Sequence, residues 1–186
     1  MHAPSVRTAI VTSLSLMTLI AVFAVAGYPL YVTPSEEEVG EADLIYVLGS
    51  PVRERVDAER QLRADEVADR SLVSVGLTGW YTDEKLPVCR EPEVECVHPM
   101  PFTTKGEIAY LERYAEEHDL DRTVIVTFTP AVARTRYIVE KCYPGDAVVI
   151  GIDQHLDLGD WVHQYAYQSL AFVKAWLTPC ADASDQ

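Results

Sequence analysis

The feature that most limits what this chain can fold into is a long apolar run from Ala9 to Val32. Arg7 is the one charged side chain before Pro34. A bilayer core of about 30 Å needs roughly 20 apolar residues in a helix, so the run is long enough to cross a membrane. Arg7 precedes the run and Glu36–Glu38 follow it, so the positive-inside bias predicts a cytoplasmic N-terminus and an extracytoplasmic remainder.

Two other interpretations of the run compete with a retained anchor. Ile10–Phe23 has the length of a signal-peptide core, and the stretch Ala24–Ala26 resembles a small-residue cleavage site. A buried core helix is the remaining alternative. Apolar residues continue beyond the cleavage site to Val32, which favours the anchor. We therefore expect a single-pass cell-membrane protein with an extracytoplasmic domain, or a secreted domain if the signal is cleaved.

The rest of the chain, roughly 150 residues, suits one domain. We predict a cytoplasmic tail at 1–8, a span at 9–32, a linker at 33–42, a folded domain at 43–180 and a tail at 181–186. The chain carries 29 acidic and 15 basic residues, for a net charge of −14. Such a protein is not expected to bind nucleic acid, because binding to phosphate backbones depends on cationic side chains.

Four cysteines, Cys89, Cys96, Cys142 and Cys180, indicate two disulfides in an exported chain. Four cysteines allow three different disulfide pairings. We favour Cys89–Cys96 with Cys142–Cys180, because each bridge then joins neighbouring elements. A zinc site would need closer cysteine and histidine spacing, so we predict no metal.

Apolar strand patterns alternate with helical ones along the domain, which predicts an α/β fold with a mostly parallel sheet. Predicted strands are 44–48, 71–75, 94–97, 123–127 and 147–152, and predicted helices are 56–70, 104–117, 131–142 and 161–177. Thr103 or Thr104 can cap the second of these helices, with Glu107 completing a capping box after Thr104. Asp160 is the predicted cap of the last helix.

Ligands of open parallel sheets bind beyond the carboxyl ends of the strands, and polar residues follow several strands here. Helix N-termini at this edge could hold an anion. The predicted ligand-binding residues are Gly49, Ser50, Arg55, Asp57, Thr104 and Thr127, and the candidate catalytic residues are Glu107 and Arg134. Each also has a plainer explanation, such as helix capping, a tight turn or a surface ion pair.

These motifs resemble the YdcF/SanA/ElyC-like family of bacterial envelope proteins, in its exported actinobacterial branch. The resemblance covers roughly 43–177 and rests on Asp43–Gly49, Arg55, Thr103–Glu107, Val126-Thr127, Arg134 and Arg136. It implies a Rossmann-like three-layer sandwich behind one N-terminal membrane helix, and a role in envelope biogenesis. It also implies that Gly49, Arg55, Thr104, Glu107, Thr127 and Arg134 line a pocket.

The chain departs from the family pattern at two positions. Ala131 stands where the family commonly has a histidine, and Phe128 stands where a serine often follows the strand. A missing imidazole weakens the case for acid–base chemistry, because imidazole is the usual proton carrier near neutral pH. His98 or His155 could replace it only by approaching in space. The acidic stretch 153–157 resembles a metal site loosely and is more typical of a solvated loop.

Two functions fit these observations. One is an enzyme at the outer membrane face that acts on a phosphate-bearing glycan or lipid-linked precursor, with Arg55 and Arg134 holding phosphate. The other is a non-catalytic envelope factor that binds such a precursor or another membrane protein. S-adenosylmethionine binding, known for one cytoplasmic family member, is a remote alternative, so the cofactor is left unassigned.

Overall fold

The computed structural model of the protein describes residues 6–182. Residues 1–5 and 183–186, which belong to the two predicted tails, lie outside the described residues. The strands are β1 Leu44–Val47, β2 Ser71–Ser74, β3 Val94–Val97, β4 Arg122–Phe128 and β5 Asp146–Ile152. The α-helices are α1 Val6–Gly27, α2 Arg53–Ala64, α3 Thr104–His118, α4 Val132–Cys142 and α5 Leu158–Leu177. A π-helical turn, Tyr28–Val32, continues α1, and short 3-10 turns occupy Pro87–Arg90 and Thr129–Ala131.

The strands form one sheet in the order β3-β2-β1-β4-β5, and each neighbouring pair is parallel. The predicted α/β fold is confirmed, and the sheet of the described chain is parallel throughout. Its central strands are continuous apolar runs because both faces of the sheet are covered. The chain winds outward from β1 to β3 and then returns to β4 on the other side of β1. The carboxyl ends of β1 and β4 therefore meet at a topological switch point.

Helices and loops cover the two faces of the sheet unequally. Helices α3, α4 and α5 pack on one face, around core residues that include Tyr46, Leu111 and Ile125. Helix α2 and the loop that precedes β3 cover the other face, around Val47, Val73 and Val126. The result is the predicted three-layer arrangement, with three helices on the face that carries the candidate site.

Helix α2 spans Arg53–Ala64, whereas the sequence predicts Val56–Arg70. The predicted C-terminal boundary is wrong because Glu66 adopts a left-handed backbone conformation, with φ of 57°. This residue ends the helix, and the Val67 N–H donates to the carbonyl of Leu62. The chain thereby reverses its direction before β2 begins.

Helix α5 begins at Leu158, three residues before the predicted start. Its N-cap is Asp157, which accepts a hydrogen bond from the Asp160 N–H at 2.9 Å. The carboxylate of Asp160 accepts from the Asp157 N–H at 3.1 Å, which completes a capping box. The prediction of Asp160 as the cap is therefore wrong by three residues. Asp157 is the N-cap, and Asp160 is the N3 residue of the same capping box.

One helical segment within residues 6–182, Ile10–Val32, is long and apolar enough to cross a membrane, and only 6% of its most apolar window is buried. By length and composition this segment can serve as an anchor or as a signal sequence. Two disulfides join Cys89 to Cys96 and Cys142 to Cys180, which is the pairing favoured above. Disulfides are typical of domains that fold outside the cytoplasm.

Candidate functional site

A cleft of about 300 Å³ opens between the N-terminus of α3, the middle of α4 and the C-terminal half of α5. We call it the Arg134 cleft. Gly49, at the end of β1, contributes to its wall, so the cleft lies beside the switch point of the sheet. The remaining lining residues are Phe102, Thr103, Thr104, Lys105, Glu107, Arg134, Ile138, Tyr167, Ala171, Lys174, Ala175 and Thr178.

Glu107 is the buried acid of the cleft, with 3% of its surface exposed. Its Oε1 accepts a hydrogen bond of 2.7 Å from the Gly49 N–H, across 58 positions of sequence. The helix is capped by Thr103, one of the two predicted caps, whose hydroxyl accepts from the Gly106 N–H. The predicted capping box of Thr104 and Glu107 is therefore wrong. The carboxylate joins α3 to the end of β1 and is not used to cap α3.

The pKa of Glu107 is raised above the ordinary value of glutamate, mainly because burial disfavours the charged carboxylate. The Gly49 N–H and the Ser74 hydroxyl act in the opposite direction, as do the charges of Arg55 and Arg134. Burial prevails over these partners. Glu107 can therefore hold a proton at a higher pH than a solvated glutamate can.

Arg134 extends from α4 into the cleft and is held by uncharged partners. Its Nε donates to Gln168 Oε1 and its Nη1 donates to Thr104 Oγ1, both at 3.0 Å. Within residues 6–182, its Nη2 has no hydrogen-bond partner. Burial lowers the pKa of Arg134, while Tyr167 and Glu107 act to raise it. The guanidinium is thus fixed in direction by α3 and α5 and retains capacity for an anionic ligand.

Gly49 is required at the rim by close approach. A Cβ at this position would lie 2.4 Å from Cζ of Phe102 and 3.4 Å from Oε1 of Glu107. Phe102, which is 43% exposed, packs directly against Gly49. Ser50 follows Gly49 at intermediate exposure, and its carbonyl accepts from the Val52 N–H at 2.8 Å. Of the predicted pair, Gly49 lines the cleft and Ser50 does not.

Arg55 is buried and holds the end of β1, because its Nη1 donates to the carbonyl of Leu48 at 3.0 Å. Burial lowers the pKa of Arg55, and the charge of Glu107 opposes this shift. Asp57 lies on the exposed side of α2, where it pairs with Arg53 and Arg60. The structure does not bring Arg55 or Asp57 into the lining of the cleft, although Arg55 contributes positive charge near Glu107.

Two further predicted positions lie outside the lining of the cleft. Thr127 is buried in β4 opposite Gly151 of β5. Ala131, where a histidine was expected, is buried in the 3-10 turn that precedes α4. The end of β4 therefore contributes packing surface, and α4 contributes Arg134.

Neither histidine considered as a replacement lines the cleft. His98 pairs with Asp83, with 3.7 Å between Nε2 and Oδ2, and His155 is exposed. The stretch 153–157 is occupied by structural contacts, since Asp153 accepts from the Thr129 hydroxyl at 2.6 Å and Asp157 caps α5. Among residues 6–182, no group of three or more His, Cys, Asp or Glu is placed to hold a metal ion.

Helix α5 supplies the residues that sequence reasoning missed. Gln168 orients Arg134, and Tyr167 and Lys174 line the cleft. Lys105, part of a predicted motif, donates to the carbonyls of Ala175, Thr178 and Pro179 at the end of this helix. No local pattern marks these residues as site residues, because α5 reaches the cleft only through tertiary packing.

The charge of the cleft differs from that of the chain. Its charged lining residues are Lys105, Arg134, Lys174 and Glu107, which are three cations and one buried carboxylate. The chain as a whole has a net charge of −14. A cationic recess on an acidic protein favours an anionic ligand, because the surrounding negative field is locally reversed.

Comparisons with models of protein families, with curated proteins and with solved structures found no match. The resemblance to the YdcF/SanA/ElyC-like family therefore stays a prediction that rests on the motifs quoted above. The chemistry of the cleft has to be inferred from its own geometry.

Proposed function

We propose that the protein is a membrane-anchored extracytoplasmic envelope factor whose Arg134 cleft binds the phosphate of a cell-wall or surface-glycan precursor. The observation that carries this proposal is the charge of the cleft. Three cations and one buried carboxylate line it in a strongly acidic protein. A guanidinium held by uncharged partners is well suited to phosphate, because its planar donors match the oxygens of that group.

Anchoring is supported by the apolar run Ile10–Val32 and by the two disulfides. A cleft held close to a bilayer favours a lipid-linked ligand over a free solute. Helix α5 forms one wall of the cleft and also contacts the end of the apolar run, where Tyr31 and Ser169 share a hydrogen bond of 2.8 Å. The cleft therefore lies near the anchor. These contacts support a precursor carried on a lipid phosphate.

The test is ligand binding by the full chain reconstituted in lipid nanodiscs. A polyprenyl phosphate should bind, whereas the uncharged polyprenol of the same length should not. Arg134→Gln should weaken binding of the phosphate about tenfold or more, since a hydrogen bond to a charged group contributes roughly 1.5–3 kcal/mol. Arg113→Gln is the matched control, because Arg113 pairs with Glu117 on the surface of α3. Equal binding of the phosphate and the alcohol would contradict the proposal.

A catalytic role is the second candidate function, and the buried Glu107 favours it. A carboxyl group with a raised pKa keeps its proton to a higher pH and can donate it to a leaving oxygen. In this alternative Arg134 holds the phosphate while Glu107 acts as the acid. Ala131 in place of the expected histidine favours binding without catalysis. Phosphate release that is abolished in Glu107→Gln but retained in Arg113→Gln would support the enzyme, and release that is equal in all three proteins would exclude it.

A further inference from the structure

Helix α5 presents an apolar face that the rest of the described chain leaves uncovered. Its large side chains are between 51% and 81% exposed, namely Leu158, Val162, Leu170, Val173, Trp176 and Leu177. Most of them recur at helical spacing and form one stripe. The opposite side of the helix is buried in the domain through Gln168 and Ala175. An uncovered apolar stripe of this length is typical of an interaction surface.

The composition of α5 contrasts with that of the whole chain. Between Trp161 and Leu177 the one charged residue is Lys174, whereas the chain carries 29 acidic residues. Aromatic side chains recur along the same stretch, including Trp161, Tyr165, Tyr167 and Trp176. Trp and Tyr are enriched where proteins meet the boundary between water and lipid. This combination suits a lipid surface.

The contacts of α5 place it against the end of α1. The Tyr165 hydroxyl donates to the carbonyl of Ala24 at 3.1 Å, and its ring lies 5.9 Å from that of Phe23. A Cβ at Gly27 would be 2.5 Å from Cε1 of Tyr165, so the two helices touch directly at this glycine. Tyr31, 5% exposed, packs against Tyr165 with 5.1 Å between the ring centroids.

The length of α1 fixes the depth of this contact. The helix has 22 residues, which correspond to about 33 Å at roughly 1.5 Å per residue. A hydrocarbon core is about 30 Å thick. If Arg7 lies at the cytoplasmic boundary, the outer boundary of the hydrocarbon core lies near Gly27, and the π-helical turn Tyr28–Val32 lies among the outer headgroups. The contacts of Tyr165 with Phe23, Ala24 and Gly27 then place the Tyr165 turn of α5 near the level of the outer lipid headgroups.

We propose that the apolar face of α5 lies in the outer interface of the membrane as an amphipathic helix, beside the membrane-spanning α1. The occupant of this face is the lipid bilayer, because the face is continuous with the lipid-exposed surface of α1 at Tyr165. Tyr167, Ala171 and Lys174 of the same helix line the Arg134 cleft. The interfacial helix therefore keeps the cleft close to the membrane surface. This inference rests on the anchoring part of the proposed function and goes beyond it.

The test uses the three tryptophans of the chain as depth probes. Full-length variants that keep one tryptophan, with the other two changed to Phe, are reconstituted in nanodiscs that contain brominated phospholipids. Fluorescence of Trp161 and Trp176 should be quenched at least twofold more than that of Trp80. Trp80 is 86% exposed and lies in the loop after β2, outside α5, so it serves as the reference outside the face.

A second variant separates surface contact from folding. Leu170→Glu places a charge on an exposed position of the face, so it should reduce quenching of Trp161 and Trp176 while both disulfides still form. Equal quenching of all three tryptophans would overturn the proposal. Unquenched Trp161 and Trp176 in a cross-linkable dimer would also overturn it, because a second copy would then cover the face.

The outcome is distinguishable from that of the cleft experiment. Arg134→Gln should leave tryptophan quenching unchanged, since Arg134 faces the cleft and not the apolar stripe. Failure of the parent protein to bind polyprenyl phosphate, with tryptophan quenching retained, would contradict the proposed ligand but not the interfacial helix. A chain that alkaline carbonate extracts from membranes would contradict the anchor, and the interfacial helix that depends on it.

Discussion

Two arginines on α4 have opposite surroundings although they are only two residues apart. Their side chains project roughly 200° apart around the helix. Arg134 points into the cleft and is held by the uncharged Gln168 and Thr104. Arg136 pairs instead with the carboxylate of Glu37, at 2.9 Å between Nε and Oε1. Helix α4 thus carries one arginine, Arg136, whose charge is paired with a carboxylate of the chain, and one, Arg134, whose hydrogen-bond partners are uncharged.

Arg136 lies in a groove of about 450 Å³ between residues 32–39, most of which belong to the linker, and the ends of β4 and β5. We call it the Arg136 groove. Glu37 enters it and also accepts from the N–H of Val149 on edge strand β5, at 2.8 Å. The linker therefore supplies the anion for Arg136 and covers part of an exposed sheet edge. An arginine in a recess is available to an external anion only when no segment of its own chain fills that place.

The largest expected effect is a loss of stability, and it comes from the disulfide that supports the Arg134 cleft. Cys142–Cys180 closes a loop of 38 residues and ties α4 to the tail after α5, which forms a wall of the Arg134 cleft. Its loss in Cys142→Ser/Cys180→Ser should lower the free energy of unfolding by about 4 kcal/mol on the chain-entropy estimate. Thermal unfolding measures this, and binding of polyprenyl phosphate should weaken as well.

The other disulfide is the control for that comparison. Cys89–Cys96 spans only 7 residues on the opposite face of the sheet. Its removal should lower the free energy of unfolding by about 2 kcal/mol and leave binding unchanged. If both double variants lose binding equally, the cleft does not depend on the wall formed by α5.

The next effect concerns the Arg136 groove. Glu37→Ala leaves Arg136 and the Val149 N–H without their acidic partner, so unfolding should become easier by roughly 1–3 kcal/mol. Denaturant titration measures the difference. Glu38→Ala changes the neighbouring exposed acid and should shift stability by less than about 0.5 kcal/mol. Equal effects of the two substitutions would show that the linker contacts are not stabilising.

A reciprocal pair of substitutions tests the comparison itself. Arg134→Gln should weaken ligand binding and lower stability by only about 1 kcal/mol, since its partners are uncharged. Arg136→Gln should lower stability by about 2 kcal/mol and leave binding unchanged, because Glu37 already occupies its groove. Calorimetric binding and thermal unfolding of both variants provide the four values. Loss of ligand binding in Arg136→Gln would show that the two recesses act as one site.

The smallest effect is the pH dependence that Glu107 contributes. Its pKa is raised in the folded state, so folding binds a proton between the unfolded-state pKa and the higher folded-state value. Stability from this group is present below the unfolded pKa and falls as pH rises through that window. Glu107→Gln removes the titration and retains an oxygen for the Gly49 N–H.

Glu107→Gln should therefore be more stable than the parent protein at neutral pH, by less than about 1 kcal/mol after allowance for the neighbouring arginines. The two proteins should converge in acid, where Glu107 is protonated in both states. Thermal unfolding from pH 3 to pH 8 measures the difference. A gap that widens toward acid would mean that the charged carboxylate stabilises the fold.

Much of the fold was predictable from local patterns. The strand stretch Thr123–Thr127 is apolar and β-branched, and Pro144-Gly145 ends α4 where the sequence predicts. The boundary of α2 was not, because Glu66 in a left-handed conformation ends it where no Gly or Pro gives warning. Alternation of strands and helices predicts parallel pairing. It does not predict the strand order, which depends on where the chain turns back after β3.

The candidate site was predictable only in part. Gly49, Thr104, Glu107 and Arg134 all line the cleft, because the carboxyl ends of parallel strands gather at one edge. The same reasoning included Asp57, which lies on the exposed side of α2. Sequence position gave no sign that Glu107 binds Gly49 or that Gln168 orients Arg134, since those partners come from distant segments.

Local chemistry in the chain specifies the apolar α1, the parallel α/β architecture and the even set of cysteines. Hydrophobic spacing and residue type act over a few neighbours, so they can be read along the chain. Packing of α5 and of the linker against α4 decided which arginine remains open and which is filled. Such contacts join residues that are far apart in sequence, 30 positions for Arg134 with Thr104 and 101 positions for Arg136 with Ser35. The difference between a neutralised arginine and an available one therefore arises only in the folded protein.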